Sequence, residues 1–133
     1  MEDRYLSKAK RIDNGEWVEG YLIFSFTGIP YIVQEYDHIL GVMQMYEVDI
    51  STICRCTGLK DKNGKLIWEK DILMAYLDED HPEDVTYAKI EWNGSGWITH
   101  ENNNEDQEYF DDFVLENYEV VGNIFDNPGL LEV

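Results

Sequence analysis

Short segments rich in β-branched and aromatic residues, separated by glycine-bearing turns, constrain the fold of this chain more than any other feature. Such segments occupy residues 17–26, 31–34, 71–77, 85–92 and 118–124. This composition, bounded by turn residues, is typical of antiparallel strands. The sequence therefore predicts a mainly β fold.

Asn-Gly pairs indicate where hairpins turn. One pair is Asn14 and Gly15, and the other is Asn63 and Gly64. Both residue types tolerate positive φ angles, which two-residue hairpin turns require. Residues 93–96, with two further glycines, predict a third turn between strand segments.

Helical spacing of apolar residues occurs at one place, residues 108–115. There Phe110, Phe113 and Val114 would share one face of a short helix. Strands of this length and spacing otherwise favour a small barrel or two packed sheets. We predict a small SH3-like or related β-barrel with an N-terminal hairpin extension and at most one short helix.

The length of 133 residues fits one domain with a sizeable buried core. We predict a single domain over residues 1–133. Within it, an N-terminal hairpin region covers residues 1–50 and the barrel covers residues 53–126. A short tail, residues 127–133, completes the chain.

Three segments carry a family resemblance. Residues 57–73 have the sequence TGLKDKNGKLIWEKDIL, and residues 120–128 have the sequence VVGNIFDNP. They resemble the central motif of the YopX family, usually similar to TGLKDKNGKEIYEGDIV, and its closing segment, similar to VIGNIYENP. Residues 17–22 are similar to the family's opening. The main departure is Lys70, where the family usually has glycine. The resemblance implies a small protein encoded by a phage or prophage, and it assigns no activity and no functional residue.

Charge is distributed unevenly along the chain. The formal net charge is −18, and residues 71–133 contain 17 acidic residues and a single lysine, Lys89. Residues 1–70 contain 11 acidic and 9 basic residues. Binding to nucleic-acid phosphates requires clustered Lys and Arg. Direct nucleic-acid binding is therefore not expected.

The hydropathy pattern indicates no membrane segment. No apolar run approaches the roughly 20 residues that span a bilayer. Residues 1–5 do not resemble the start of a signal peptide, because a basic region followed by an apolar stretch is lacking. We predict a cytoplasmic protein of the bacterial host cell.

Cys54 and Cys56 are the two cysteines of the chain. On a strand, residues two apart point to the same face. Zinc sites usually pair a Cys-x2-Cys motif with a second pair of ligands, whereas His38, His81 and His100 are isolated single residues. We predict two reduced thiols in or beside a strand, with neither a metal site nor a cofactor.

Residues that resemble catalytic groups have structural explanations. Ser95, between two glycines, fits a hairpin tip better than a nucleophile elbow. Asp61 is predicted to cap the bend at Gly64 through its side chain. Asp71, just before a strand, is predicted to fix a turn by accepting backbone N–H groups. We predict that the protein is not an enzyme.

The functional hypothesis is a non-enzymatic phage or prophage accessory protein that binds another macromolecule through an acidic surface. Such a surface attracts basic proteins with fast, salt-sensitive association. Residues 78–84 and 100–108 are too polar to bury and are predicted to be solvated loops. The carboxylates predicted to contact this partner lie in or near these loops: Asp78, Glu79, Asp80, Glu83, Asp84, Glu105, Asp106, Glu108, Asp111 and Asp112.

Two alternatives remain open from the sequence. In one, the carboxylates mimic nucleic-acid phosphates and occupy a basic host DNA-binding protein. In the other, the protein is a structural homo-oligomer. Because the acidic half repels itself, that homo-oligomer would associate through the aromatic N-terminal hairpins and their exposed edges.

Overall fold

A computed structural model describes residues 3–37, 39–76, 80–101, 107–109 and 112–131. All structural statements concern these residues. The described residues contain eleven β-strands, one α-helix and three short 3-10 helices.

The chain divides into two compact units, Met1–Cys56 and Thr57–Val133. The strands of the first unit, the last of which continues into the second, are β1 (Ser7–Lys10), β2 (Trp17–Phe24), β3 (Pro30–Asp37), β4 (Val42–Glu47) and β5 (Cys54–Lys60). Two 3-10 helices, Asp3–Tyr5 and Ile50–Thr52, lie before β1 and before β5.

Antiparallel hairpins build the first unit. β1 pairs with β2, β2 with β3, and β3 with β4. An isolated bridge between Arg11 and Val48 then brings the end of β4 back beside the end of β1. The enclosed core consists of Ala9, Val18, Ile32 and Val48, with Leu22, Tyr46 and Ile53 packed against it.

A glycine allows β2 and β3 to approach closely. A Cβ atom on Gly20 would lie 2.9 Å from the carbonyl carbon of Val33, inside any normal contact distance. Because the obstacle is main chain rather than a mobile side chain, a larger residue at this position would separate the two strands.

The second unit begins within β5. Its further elements are β6 (Leu66–Trp68), β7 (Asp71–Tyr76), β8 (Val85–Trp92), β9 (Trp97–Glu101), β10 (Gln107–Tyr109), α1 (Asp112–Asn117) and β11 (Glu119–Asn123). A 3-10 helix, Pro128–Leu131, follows β11. The two sheets have the hydrogen-bonded orders β4-β3-β2-β1-β5-β6 and β10-β9-β8-β7-β11.

The second unit has its own core. Ile67, Leu73, Ile90 and Val114 are buried together, and Trp97, Leu115, Tyr118 and Val120 pack against them. Val114 comes from α1, so the short helix covers one side of this core. Two separate cores explain why the chain divides where it does.

The prediction of a mainly β protein with one short α-helix is confirmed. β8 has the predicted bounds, and the predicted turn at 93–96 joins it to β9. Within the part of the chain that the structure describes, the strands form two antiparallel sheets and no closed barrel is detected. No helix of the described residues is long and apolar enough to cross a membrane.

One part of the loop prediction is wrong. We expected residues 100–108 to form a polar loop, but His100 and Glu101 end β9, and Gln107 and Glu108 lie in β10. Backbone pairing between the two strands, Gln107 with His100 and Glu108 with Thr99, overrides the polar composition.

Candidate functional site

The turn of the 57–73 motif is organised by the buried carboxylate of Asp61. Its Oδ1 accepts hydrogen bonds from the backbone N–H groups of Asn63 and Lys65, at 2.9 Å each. Its Oδ2 accepts one from the N–H of Val120 in β11, at 2.8 Å. The predicted capping role is confirmed. The bond to Val120, 59 residues away, also fastens the β5–β6 turn to β11.

Asp71 fixes the next turn. It is 2% exposed, and its Oδ2 accepts a hydrogen bond from the N–H of Trp68 at 2.8 Å. This confirms the predicted role of Asp71 as an acceptor for backbone N–H groups. The residue before it, Lys70, has a φ of 69°, in the left-handed region that favours glycine.

Main-chain bonds hold Lys70 in this conformation. Its N–H donates to the carbonyl of Ile90 at 2.7 Å, and its carbonyl accepts from the N–H of Ile124 at 3.1 Å. Its ammonium lies 5.5 Å from the centre of the Phe125 ring. The chain therefore places a lysine where the backbone requires a left-handed residue, which accounts for the glycine usual at this point of the resembled motif.

The closing segment stops β11 by side-chain capping. Oδ1 of Asn123 accepts the N–H groups of Phe125 and Asp126 at 2.9 Å each. Oδ1 of Asn127 accepts the N–H of Asn123 at 3.2 Å, and the Asn127 side chain fills the space that a Cβ on Gly122 would need. β11 accordingly ends at Asn123, within the closing segment. Together these bonds give the motif residues a structural role.

The structure describes part of the predicted acidic surface. Asp80, Glu83 and Asp84 are exposed between β7 and β8. Glu108 lies in β10 and Asp112 begins α1, so neither belongs to a loop. Five of the predicted carboxylates lie outside the described residues: Asp78, Glu79, Glu105, Asp106 and Asp111. The acidic contact surface therefore stays a prediction.

The structure shows the positions of two groups of residues whose side chains could in principle bind a metal ion. Ligand atoms of His81, Glu83 and Asp84 lie within 4.8 Å of one another, but all three residues are exposed, and exposed acidic residues often group in this way without an ion. Cys54 and Cys56 are both buried in β5 and form no disulfide, as predicted for thiols within a strand. Their burial fits a packing role.

An ion pair and a helix cap in the first unit each lower the pKa of a carboxyl group. The Arg11 guanidinium donates to Asp13 at 2.6 and 2.9 Å, and this bidentate bond lowers the pKa of Asp13. Hydrogen bonds from the hydroxyl and N–H of Ser51 lower the pKa of Asp49, which caps the 3-10 helix Ile50–Thr52. Asp13 is exposed and Asp49 is partly buried, and both serve local structure.

The sheet of β2, β3 and β4 is apolar on both faces. On the inner face, Leu22, Ile32 and Tyr46 belong to the core. The opposite face is formed by cross-strand neighbours: Tyr21 pairs with Val33 and Val33 with Met45, while Ile23 pairs with Tyr31. Met43, two residues from Met45, lies on the same side. We call this surface the outer face: Tyr21, Ile23, Tyr31, Val33, Met43 and Met45.

The outer face is open to solvent. Met43 is 45% exposed, Ile23 39% and Met45 37%, whereas the other three residues are partly buried. Two phenylalanines near the β2–β3 turn are also exposed: Phe26 fully, and Phe24, which lies on the same side of β2 as Leu22, by 54%. Of thirteen exposed large hydrophobic residues in the described part of the chain, eleven precede Cys56. Exposed apolar area is thus concentrated in the first unit.

Comparison with known proteins identifies the family. The sequence profile described as YopX protein matches residues 12–132, nearly the whole chain. The chain belongs to the YopX family. The match includes both motifs whose hydrogen bonds are described above, so in this YopX protein those motifs maintain the second unit. No protein among the curated sequences matches the chain.

A solved structure is similar to this YopX protein over most of its length. It is the crystal structure of protein EF1440 from Enterococcus faecalis, with a TM-score of 0.61 and 22% sequence identity. The similarity covers 94% of this chain and 96% of that one. At this identity the likeness shows a shared fold.

Sequence reasoning missed the outer face, although a signal was present. Residues 21–24 and 31–33 are continuous apolar runs. They lack the alternation of apolar and polar residues that is expected when one face of a strand is exposed to solvent. Such runs are typical of strands covered on both sides. The hypothesis of aromatic N-terminal hairpins with exposed edges used the same residues but did not separate the two faces.

Proposed function

We propose that this YopX protein is a non-enzymatic accessory protein of phage or prophage type that binds a basic host protein in the bacterial cytoplasm. The observation that carries the proposal is the outer face, an apolar sheet surface exposed to solvent. Membership of the YopX family is consistent with a phage-type protein and leaves its partner open.

The outer face has the composition of an interaction surface. Contiguous exposed apolar patches are uncommon on monomeric proteins and mark contact sites. Interface cores are enriched in aromatic residues and methionine and depleted of charge. The outer face supplies two tyrosines and two methionines, with Glu47, in β4 beside Tyr31, at its border. It therefore suits a partner with an apolar contact segment.

Charge complementarity favours a basic partner. The second unit contains 19 acidic and 5 basic residues, a net charge of −14, whereas the first unit contains 9 acidic and 5 basic residues, a net charge of −4. A field of this sign attracts basic proteins and raises the rate of encounter. The exposed carboxylates Asp80, Glu83 and Asp84 contribute to that field.

The first test concerns the outer face. The tagged protein captures partners from host lysate, and Ile23→Ser is compared with Ile50→Ser, which removes an exposed isoleucine of the same unit outside the outer face. We expect Ile23→Ser to lose the specific partner and Ile50→Ser to retain it. Equal capture by both variants would refute the outer face as the contact.

The second test concerns the charge. With the captured partner purified, association rates are measured for Glu83→Gln/Asp84→Asn and for Glu116→Gln/Asp126→Asn, a matched pair of exposed carboxylates in the same unit. We expect the first variant to slow association several-fold at low salt and to match the wild type at high salt. A partner with an acidic surface, or binding insensitive to salt, would contradict the proposal.

A further inference from the structure

β4 is the edge strand of its sheet. It pairs with β3 on one side, and in the part of the chain that the structure describes no strand pairs with Val42–Glu47 on the other. The next residues are engaged differently, since Val48 forms the bridge to Arg11. The open part of the edge is therefore Met43, Gln44 and Met45.

The direction of the backbone groups along this edge follows from two hydrogen bonds. The N–H of Val48 donates inward to the carbonyl of Pro30 at 3.2 Å, and the carbonyl of Glu47 accepts from Ile12, on the other side, at 3.1 Å. Backbone groups alternate in direction along an antiparallel strand. The N–H and C=O groups of Met45 and Met43 therefore point away from β3.

We propose that a second copy of this chain pairs with this edge, β4 against β4, antiparallel about a two-fold axis at Gln44. In this register Met43 stands opposite Met45 of the second copy, and each pair exchanges both main-chain hydrogen bonds. Gln44 stands opposite Gln44 in a non-hydrogen-bonded pair, close enough for the two side-chain amides to bond each other. The two sheets become one continuous sheet.

The sequence of β4 is what selects a second copy as the occupant. The order Met43, Gln44, Met45 is the same in both directions, so a two-fold axis matches like residues. Natural edge strands usually discourage pairing with lysine, proline or inward charges, and residues 42–46 contain none of these. Glu47, the only charge of β4, lies beyond the open part of the edge, where Ile12 already bonds its carbonyl, so the charge does not face its own copy. The contact also lies in the less charged unit.

Measurement of mass tests the interface. We expect sedimentation equilibrium of the full chain at tens of micromolar to give a dimer. Met45→Pro removes an N–H that the isolated chain does not use, and edge strands tolerate proline at such a position. It should raise the dimer dissociation constant by about tenfold or more. Met45→Leu, which keeps the N–H, is the matched control and should remain dimeric.

Cysteine trapping tests the register without relying on the proline variant. Cα atoms of a non-hydrogen-bonded pair lie about 4.5 Å apart, within the range of a disulfide. Gln44→Cys should therefore form a covalent dimer under mild oxidation, and Cys54 and Cys56 are buried and add little background. Gln34→Cys, exposed on β3, is the control and should cross-link far more slowly.

The outcomes separate this proposal from the proposed function, because neither measurement needs a partner. A monomer at high micromolar concentration, with equal cross-linking of Gln44→Cys and Gln34→Cys, overturns the β4 interface. So does a dimer that Met45→Pro leaves intact while the circular dichroism spectrum stays native. The β4 interface is supported if Met45→Pro dissociates the dimer and if Gln44→Cys, but not Gln34→Cys, cross-links it. This conclusion holds even if no host partner is found.

Discussion

The two units of this YopX protein handle polar and apolar groups in opposite ways. The second unit carries most of the negative charge, yet it buries two carboxylates, Asp61 and Asp71, as acceptors for backbone N–H groups. The first unit is closer to neutral and leaves apolar side chains exposed on the outer face. The residues that define the family motif therefore maintain structure, and the exposed apolar surface lies in the other unit.

Loss of a buried carboxylate should produce the largest effect. Asp61→Ala leaves three backbone N–H groups without their acceptor, and we expect the free energy of unfolding to fall by about 3 kcal/mol or more. Urea unfolding followed by tryptophan fluorescence measures it. Asp13→Ala removes an exposed carboxylate of the first unit and should change stability much less. Equal effects would erase the distinction between the units.

Alanine substitution of one glycine in each unit compares how tightly the backbone is packed there. In Gly20→Ala the new Cβ meets the main chain of Val33, and we expect a loss of about 2 kcal/mol. In Gly122→Ala it meets the Asn127 side chain, which can rotate away and give up its bond to Asn123. We expect about 1 kcal/mol for that change. Thermal unfolding of both variants checks the order, and a larger loss for Gly122→Ala would reverse it.

Lys70 offers a stabilising change in the second unit. Lys70→Gly relieves a left-handed φ that costs a side chain about 1–2 kcal/mol, while it adds chain entropy and loses the contact with Phe125. We expect a net gain of about 0.5 kcal/mol in urea unfolding. Lys70→Ala loses the ring contact but keeps the strained φ, so it should be less stable than Lys70→Gly. If alanine is the better residue, the left-handed conformation is not the reason for glycine here.

Much of the fold follows from local sequence signals. Strands β7 and β8 and the turn at Asn63 and Gly64 carry enough β-branched residues and turn chemistry to be predicted. β1, with the sequence SKAK, was missed because its pairing with β2 and β5 supplies what its composition lacks. Short strands of this kind depend on tertiary context.

The contacts of the site residues were less predictable. The capping role of Asp61 is local and could be inferred, but its bond to Val120 joins residues 59 apart and depends on how β11 pairs with β7. The outer face follows only when strand register is known, because a shift of one residue would exchange the two faces. Spacing alone cannot supply that register.

The smallest expected effect concerns a cap in the first unit. In the folded protein the hydroxyl of Ser51 is the main cause of the lowered pKa of Asp49. Ser51→Ala should raise that pKa toward its ordinary value of 3.8, although the N–H bond remains. The pKa of Asp13 should not change, because Arg11 and not Ser51 lowers it. A pH titration of the two carboxyl resonances by NMR measures both in one sample.

The sign of the stability effect follows from the direction of that shift. A carboxylate whose pKa is lowered by folding stabilises the folded state above its unfolded pKa, and the contribution is lost as pH falls through the folded pKa. Ser51→Ala should therefore be less stable than the wild type at neutral pH, with the difference shrinking below about pH 4. A difference that persists at pH 2 would mean that the serine acts by packing rather than through the charge of Asp49. The cap in the first unit would then depend on side-chain packing and not on the charge of its carboxylate.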